Sequence, residues 1–124
     1  MVSGGFDPIH VGHVRMIIEA SEHGAVVVVA NSDRWLFEKK GYTFMSFKER
    51  KEILMAIRGV VDVISVDDYD GTVCEALRRI HPTHFANGGD RNSENTPEKL
   101  VCEELNKNVV ERRWSEDSIV IGIV

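Results

Sequence analysis

Two rhythms of apolar and polar residues run along this chain. β-branched runs suited to buried strands alternate with stretches whose apolar residues return every three or four positions, the spacing of one helix face. Residues 1–3 are the stub of a strand. Residues 14–20 have an apolar helical face, which runs to about residue 23 and stops at Gly24, a residue suited to the position after a helix. Residues 25–30, Ala-Val-Val-Val-Val-Ala, read as a strand buried on both faces, as in a parallel sheet. Strand, helix and strand in so short a span form a βαβ unit with a right-handed crossover. Residues 31–44 read as irregular. Ser46 and Glu49 form a capping box for a helix over 48–58, with Ile53, Leu54 and Ile57 facing inward. A strand over 60–66 follows, then an acidic turn, Asp67-Asp68-Tyr69-Asp70-Gly71, read as solvated. Thr72 caps a helix over 73–80, and Pro82 ends it. A short strand over 83–86 leads to a helix opened by Thr96-Pro97 and reaching about residue 106. Residues 108–110 are a fifth strand; 119–124 are a sixth or a poorly packed tail. The alternation predicts an α/β fold, a mainly parallel sheet with helices on both faces.

Composition narrows the class. A chain of 124 residues is long enough for one domain with a real core. It holds no run of 18 apolar residues, so no membrane span is expected, and no leader precedes the first strand, so the expectation is a cytoplasmic protein. Cys74 and Cys102 lie far apart, without a Cys-x-x-Cys pair, and read as reduced structural residues. A net charge of −5 argues against general nucleic-acid binding, yet it is compatible with a nucleotide pocket, for which a few local cations suffice.

The candidate chemistry sits in Gly4-Gly5-Phe6-Asp7-Pro8-Ile9-His10-Val11-Gly12-His13. A strand that breaks into a glycine-rich loop and then opens a helix is a natural phosphate site. The first helix amides lack partners within the helix, and its dipole favours an anion there. His10 and His13, three residues apart, can face one point. The spacing is neither the dinucleotide fingerprint nor the Gly-Lys-Ser/Thr phosphate loop. A second glycine-rich stretch, Asn87-Gly88-Gly89-Asp90-Arg91, follows the fourth strand.

Gly4, Phe6, Asp7, His10, Gly12 and His13 match G-x-F-D-x-x-H-x-G-H, and the chain thereby resembles the nucleotidyltransferase family that includes glycerol-3-phosphate cytidylyltransferases and small adenylyltransferases. The resemblance implies a Rossmann-like, doubly wound, mainly parallel five-stranded sheet of order 3-2-1-4-5, in one nucleotidyltransferase domain over 1–124. In that order both glycine-rich loops flank one crevice. The implied reaction moves a nucleoside monophosphate from a nucleoside triphosphate, CTP or ATP, to a small phosphorylated acceptor, and pyrophosphate leaves. His10 and His13 are implied to bind the phosphates and stabilise the transition state, with a zinc pair or plain loop residues as rival readings. Lys39 and Lys40 are implied to reach the triphosphate or the acceptor phosphate. Gly4, Gly5, Phe6, Asp7 and Gly12 form the first nucleotide-binding loop. Gly5 and Gly12 admit backbone approach, Asp7 is expected to bond loop amides rather than act as a base, and Phe6 to pack rather than stack. Gly88, Gly89, Asp90 and Arg91 form the second nucleotide-binding loop. Mg²⁺ is expected with the triphosphate, without a dedicated protein site. Trp35 reads as an anchor, and Arg58 as a helix-end residue outside the catalytic set. A homodimer is implied by the resemblance alone.

The match fades after about residue 110. Where the family has a serine-rich motif opening a helix over the triphosphate, residues 111–124 form an atypical C-terminal tail in which Glu116 and Asp117 would repel phosphates. The alternative is therefore a non-catalytic nucleotide-binding or interaction protein that keeps the fold.

Overall fold

The computed structural model describes residues 1–66, 68–69, 71–82, 84–87, 97–104, 108–114 and 117–123. The elements are β1 (Val2–Gly4), α1 (Val11–Ser21), β2 (Val26–Ala30), α2 (Asp33–Lys40), α3 (Phe47–Met55), β3 (Val60–Ile64), α4 (Cys74–Ile80), β4 (Ala86–Asn87), α5 (Pro97–Glu104), β5 (Asn108–Trp114) and β6 (Asp117–Ile123).

Alternation along the strands builds two cores. Val26, Val28 and Ala30 of β2 join Val2 of β1 and Val63 of β3 against Met16 and Ile17 of α1 and Leu54 of α3. Val29, one pleat away, faces the other layer with Met1, packing with Cys74, Ala76 and Leu77 of α4, Phe85 and Val101 of α5. Helices therefore cover both faces, and β2 can be apolar throughout. Cys74 is buried and not in a disulfide. Among the described residues no helix is long and apolar enough to cross a membrane.

The sheet has six strands in the order β3-β2-β1-β4-β6-β5. β1 pairs in parallel with β2, Val2 opposite Val28, and with β4, Val2 opposite Ala86. The expected order of five strands, 3-2-1-4-5, thus holds to β4 and then changes. β6 pairs antiparallel with β4, and β5 lies outside it, antiparallel to β6. The expected tail is the second arm of a hairpin. The composition accounts for the order: Ser118-Ile119-Val120-Ile121 suits a strand paired on both sides, whereas Glu111-Arg112-Arg113 suits an edge, where charge blocks further pairing.

One helix was absent from the sequence expectations. Residues 33–40, read as irregular, form α2, capped by Ser32, whose Oγ accepts from the amide of Trp35 at 3.0 Å, and ended by Gly41 at φ 84°. α2 buries only Leu36, so no apolar stripe announces it; its caps do. α3 starts at Phe47 and ends at Met55, three residues short of the expected 58.

Candidate active site

β1 ends at Gly4 and its chain turns through Phe6-Asp7-Pro8 into α1. Phe6 is 1 % exposed and adopts φ 54°, the left-handed region, its ring lying against Gly4, where an added Cβ would stand 3.1 Å from Phe6 Cζ. An added Cβ on Gly5 would stand 3.0 Å from Leu36 Cδ2 of α2. Gly4 and Gly5 therefore admit protein packing, and Phe6 meets His13 edge-on, ring centroids 5.0 Å apart. Phe6 packs, as expected of it, and its ring supports that of His13; a buried ring does not itself contact the nucleotide, so its place in the nucleotide-binding loop is structural.

His10 is the residue capping α1. Its Nδ1 accepts from the amide of Gly12 at 3.1 Å, and Nδ1 of His13 accepts from the amide of His10 at 3.1 Å. The amide of His13 is taken by the carbonyl of His10 at 3.0 Å. The amides of Gly12 and His13, expected to meet an anion, are thus engaged inside the turn. A neutral imidazole that accepts at Nδ1 carries its hydrogen on Nε2. The rings stack with centroids 3.8 Å apart at 25°. The positive end of α1 is relayed outward through two imidazoles, each fixed as an Nε2–H donor. Gly12 acts through His10, with its amide as the anchor.

The two histidines, Asp7, Trp35, Lys39 and Lys40 line one open cleft of about 290 Å³. The two lysines differ. Lys40 Nζ donates to the carboxylate of Asp7 at 2.8 Å and to the Asp7 carbonyl at 2.6 Å. Lys39 Nζ stands 4.8 Å from the centroid of the Trp35 ring. Asp7, its side chain fully enclosed, also accepts from the amides of Phe44, at 2.8 Å, and Met45. Burial alone would raise the Asp7 pKa; the Lys40 hydrogen bond and the two amides outweigh it and hold the carboxyl below its ordinary value. Asp7 was expected to bond loop amides. The amides it bonds belong to the distant segment before α3, so it fastens β1's loop to α2 and to that segment.

Sequence reasoning missed two buried hubs. Arg50 on α3 is 0 % exposed. Its guanidinium donates to the carbonyls of Met45 (3.0 Å), Gly5 (2.8 Å) and Asn31 (2.7 Å), and to Asp33 Oδ1 at 2.7 Å. Asp68, read as part of a solvated turn, is 2 % exposed and accepts from Asn31 Nδ2, from the amide and hydroxyl of Ser32, and from Arg34. Both hubs join the carboxyl end of β2 to its neighbours. The available signal was a cluster of polar residues, Asn31-Ser32-Asp33-Arg34, directly after an apolar strand.

β4 ends at Asn87, opposite Ser3 of β1. Gly88, Gly89, Asp90 and Arg91 lie outside the described residues. Among the described residues no group of three or more His, Cys, Asp or Glu gathers at one point. Asp7, the carboxylate in the cleft, already has its oxygens engaged.

Comparison with known proteins gives this geometry a context. The family model described as cytidylyltransferase-like matches residues 1–120. The chain is 32% identical over 114 residues to the FAD synthase of Thermococcus kodakarensis, covering 89% of this chain and 76% of the relative. It is 34% identical over 115 residues to the FAD synthase of Thermococcus sibiricus, covering 89% and 77%. It is 36% identical over 93 residues to the bifunctional protein HldE of Koribacter versatilis, covering 73% of this chain and 19% of that longer protein. The crystal structure of the lipopolysaccharide core biosynthesis protein from Thermoplasma volcanium shares the fold, with a TM-score of 0.59, 21% identity and 67% of each chain covered. With a paired-histidine turn at the mouth of α1 and a family match running through nearly its whole length, this chain belongs to the cytidylyltransferase-like family and is a nucleotidyltransferase.

Proposed function

We propose that the protein transfers adenylate from ATP to a small phosphomonoester acceptor, with release of pyrophosphate. The name FAD synthase favours ATP over CTP, since FAD is an adenylate joined to a flavin phosphate. An acceptor oxygen attacks the α-phosphorus in line, a new P–O bond forms, and the bond to the bridging oxygen of pyrophosphate breaks. Negative charge grows on the α-phosphate oxygens and on the leaving group, so fixed donors and cations are what the step requires. Nε2–H of His10 and of His13 donate to the α-phosphate oxygens. Lys39 meets the charge of the leaving or accepting phosphate. Lys40 and Asp7 hold the loop. A Mg²⁺ ion accompanying the triphosphate would supply neutralising charge to the pyrophosphate, while Asp7, the carboxylate of the cleft, is already engaged by Lys40 and by the amides of Phe44 and Met45. Residues 88–91 contact the base and ribose. A homodimer and a cytoplasmic setting, where nucleoside triphosphates are held, belong to the same proposal.

The observation that carries this reading is the turning of both Nδ1 atoms onto amides of the capping turn, those of Gly12 and His10, which pre-organises two donors on one side of the cleft. Pyrophosphate release with Mg²⁺–ATP and a panel of phosphomonoesters tests it. His10→Ala or His13→Ala should each lower kcat by roughly 10²–10³, the usual loss for one transition-state donor, with the fold unchanged by circular dichroism. Nucleotide binding without pyrophosphate release on any acceptor would overturn the catalytic reading and leave a nucleotide-binding protein.

A further inference from the structure

Trp35 lines the cleft together with both histidines and Lys39, yet no step of the transfer uses its indole. Its place is fixed from two directions. The amide of Trp35 donates to Ser32 Oγ at 3.0 Å. Ser32 is held in turn by the buried carboxylate of Asp68, to which its hydroxyl donates at 2.8 Å and its amide at 3.0 Å. The ring itself lies against the first glycine-rich loop: a Cβ added to Gly5 would stand 3.8 Å from Trp35 Cζ3, an ordinary van der Waals contact. Lys39 follows one turn later on α2, and its Nζ stands 4.8 Å from the ring centroid.

A ring holds a cation in a way a carboxylate does not. The face of an indole attracts an ammonium through its quadrupole and leaves the positive charge uncancelled. The neighbouring lysine supplies the contrast. Lys40 Nζ stands 2.8 Å from the enclosed Asp7 carboxylate, and the two charges neutralise each other. Among the described residues no carboxylate forms an ion pair with Lys39. A long lysine side chain otherwise samples many rotamers, and stilling it costs conformational entropy when a phosphate binds. A ring already in contact with the ammonium narrows that choice beforehand, and this ring is anchored through Ser32 to Asp68. We infer that Trp35 is a positioning residue for the transfer: its indole holds the Lys39 ammonium at the cleft, its charge intact, for the phosphate that leaves or accepts. The inference rests on the nucleotidyl-transfer reading and deepens it by naming what orients the cation.

The test measures pyrophosphate release with Mg²⁺–ATP and whichever phosphomonoester of the panel gives the highest kcat/KM. Trp35→Leu should lower kcat/KM about fivefold, the size of one exposed cation–π contact, and Trp35→Phe, which keeps a ring face, should stay within about twofold of the parent. Added to Lys39→Met, Trp35→Leu should cost nothing further, since the cation that the ring serves is gone. A ring that merely packs would lower activity alike in both backgrounds. Equal losses with and without Lys39 would therefore overturn the inference and leave the transfer reaction standing. A loss in Trp35→Phe as large as that in Trp35→Leu would overturn it too. Where circular dichroism shows Trp35→Leu unfolded, Trp35→Met, flexible and of similar reach, carries the same comparison. Absence of pyrophosphate release from the parent protein with every acceptor would remove the transfer reading itself, and the role of Trp35 with it.

Discussion

Lys39 and Lys40 are neighbours in sequence with different partners, and the difference sets what each substitution does. Lys40 serves a fully enclosed carboxylate and a backbone carbonyl. Lys40→Met should therefore destabilise the fold by roughly 1–3 kcal/mol, since it strips a charged donor from Asp7. Lys39→Met should leave the urea midpoint unchanged and lower turnover at least tenfold, because its cation faces the cleft. Asp7 adds a pH signature. Its carboxyl lies below the unfolded value of 3.8, so the folded state binds its proton later than the unfolded chain. That stabilisation is complete well above pH 3.8 and is lost as the pH falls through the lower folded pKa. Asp7→Asn should flatten the acid limb of a stability–pH curve measured by urea unfolding; an unchanged limb would refute the assignment. Which lysine does which was not legible in Lys39-Lys40-Gly41, because the distinction depends on a carboxylate 33 residues upstream.

Helix α3 shows what an element contributes when one of its side chains is buried and charged. Ser46 caps it, accepting from the amide of Glu49 at 3.3 Å, which is the Ser46 half of the expected capping box. The register set by that cap aims Arg50 beneath the loops, where it joins Gly5, Asn31, Asp33 and Met45. Its charge is compensated by Asp33 Oδ1, so the guanidinium is fully partnered. Arg50→Met should cost roughly 1–3 kcal/mol, because it leaves the enclosed carbonyls of Gly5 and Asn31 without their donor. Arg50→Lys should recover part of the stability and little of the activity, since an ammonium cannot span Gly5 and Asn31 with a planar fork. Thermal unfolding and kcat, measured on both variants, check this. Helix ends were legible here through caps, and strand β2 through its unbroken β-branched run. Helix α2 was not, because a helix that buries only Leu36 has almost no apolar periodicity to read. Arg50 was invisible for a related reason: a charged residue in a charged stretch reads as surface until the neighbouring loops are placed.

At the scale of the molecule, the sheet has two differently used ends. The helix layers on both faces followed from local periodicity, whereas the order β3-β2-β1-β4 followed from the family resemblance alone. The far side did not, because strand adjacency in a hairpin depends on pairing that no single segment encodes. The carboxyl ends of β1 and β2 carry the cleft. The opposite ends enclose a cavity of about 160 Å³ lined by His23, Val26, Ile80, Pro82 and His84 among others. There the His23 and His84 rings lie 5.1 Å apart, and the chain-terminal amine donates to the His84 carbonyl at 2.8 Å. Burial first, then His23 and that amine, hold His84 below its ordinary pKa of 6.5. An unfolded chain therefore binds a proton at His84 before the folded protein does, and acid favours unfolding. The neutral ring's contribution is complete above pH 6.5 and is lost as the pH falls from that value through the folded pKa. Urea midpoints should drop between pH 7.5 and pH 5.5, roughly one unit either side of an ordinary histidine pKa, and His84→Gln should shrink the drop. The cleft lies at the other end of the strands, so nucleotide affinity in His84→Gln should match the parent at pH 7.5. A change in affinity would mean that the two ends of the sheet are coupled through β1, which touches both.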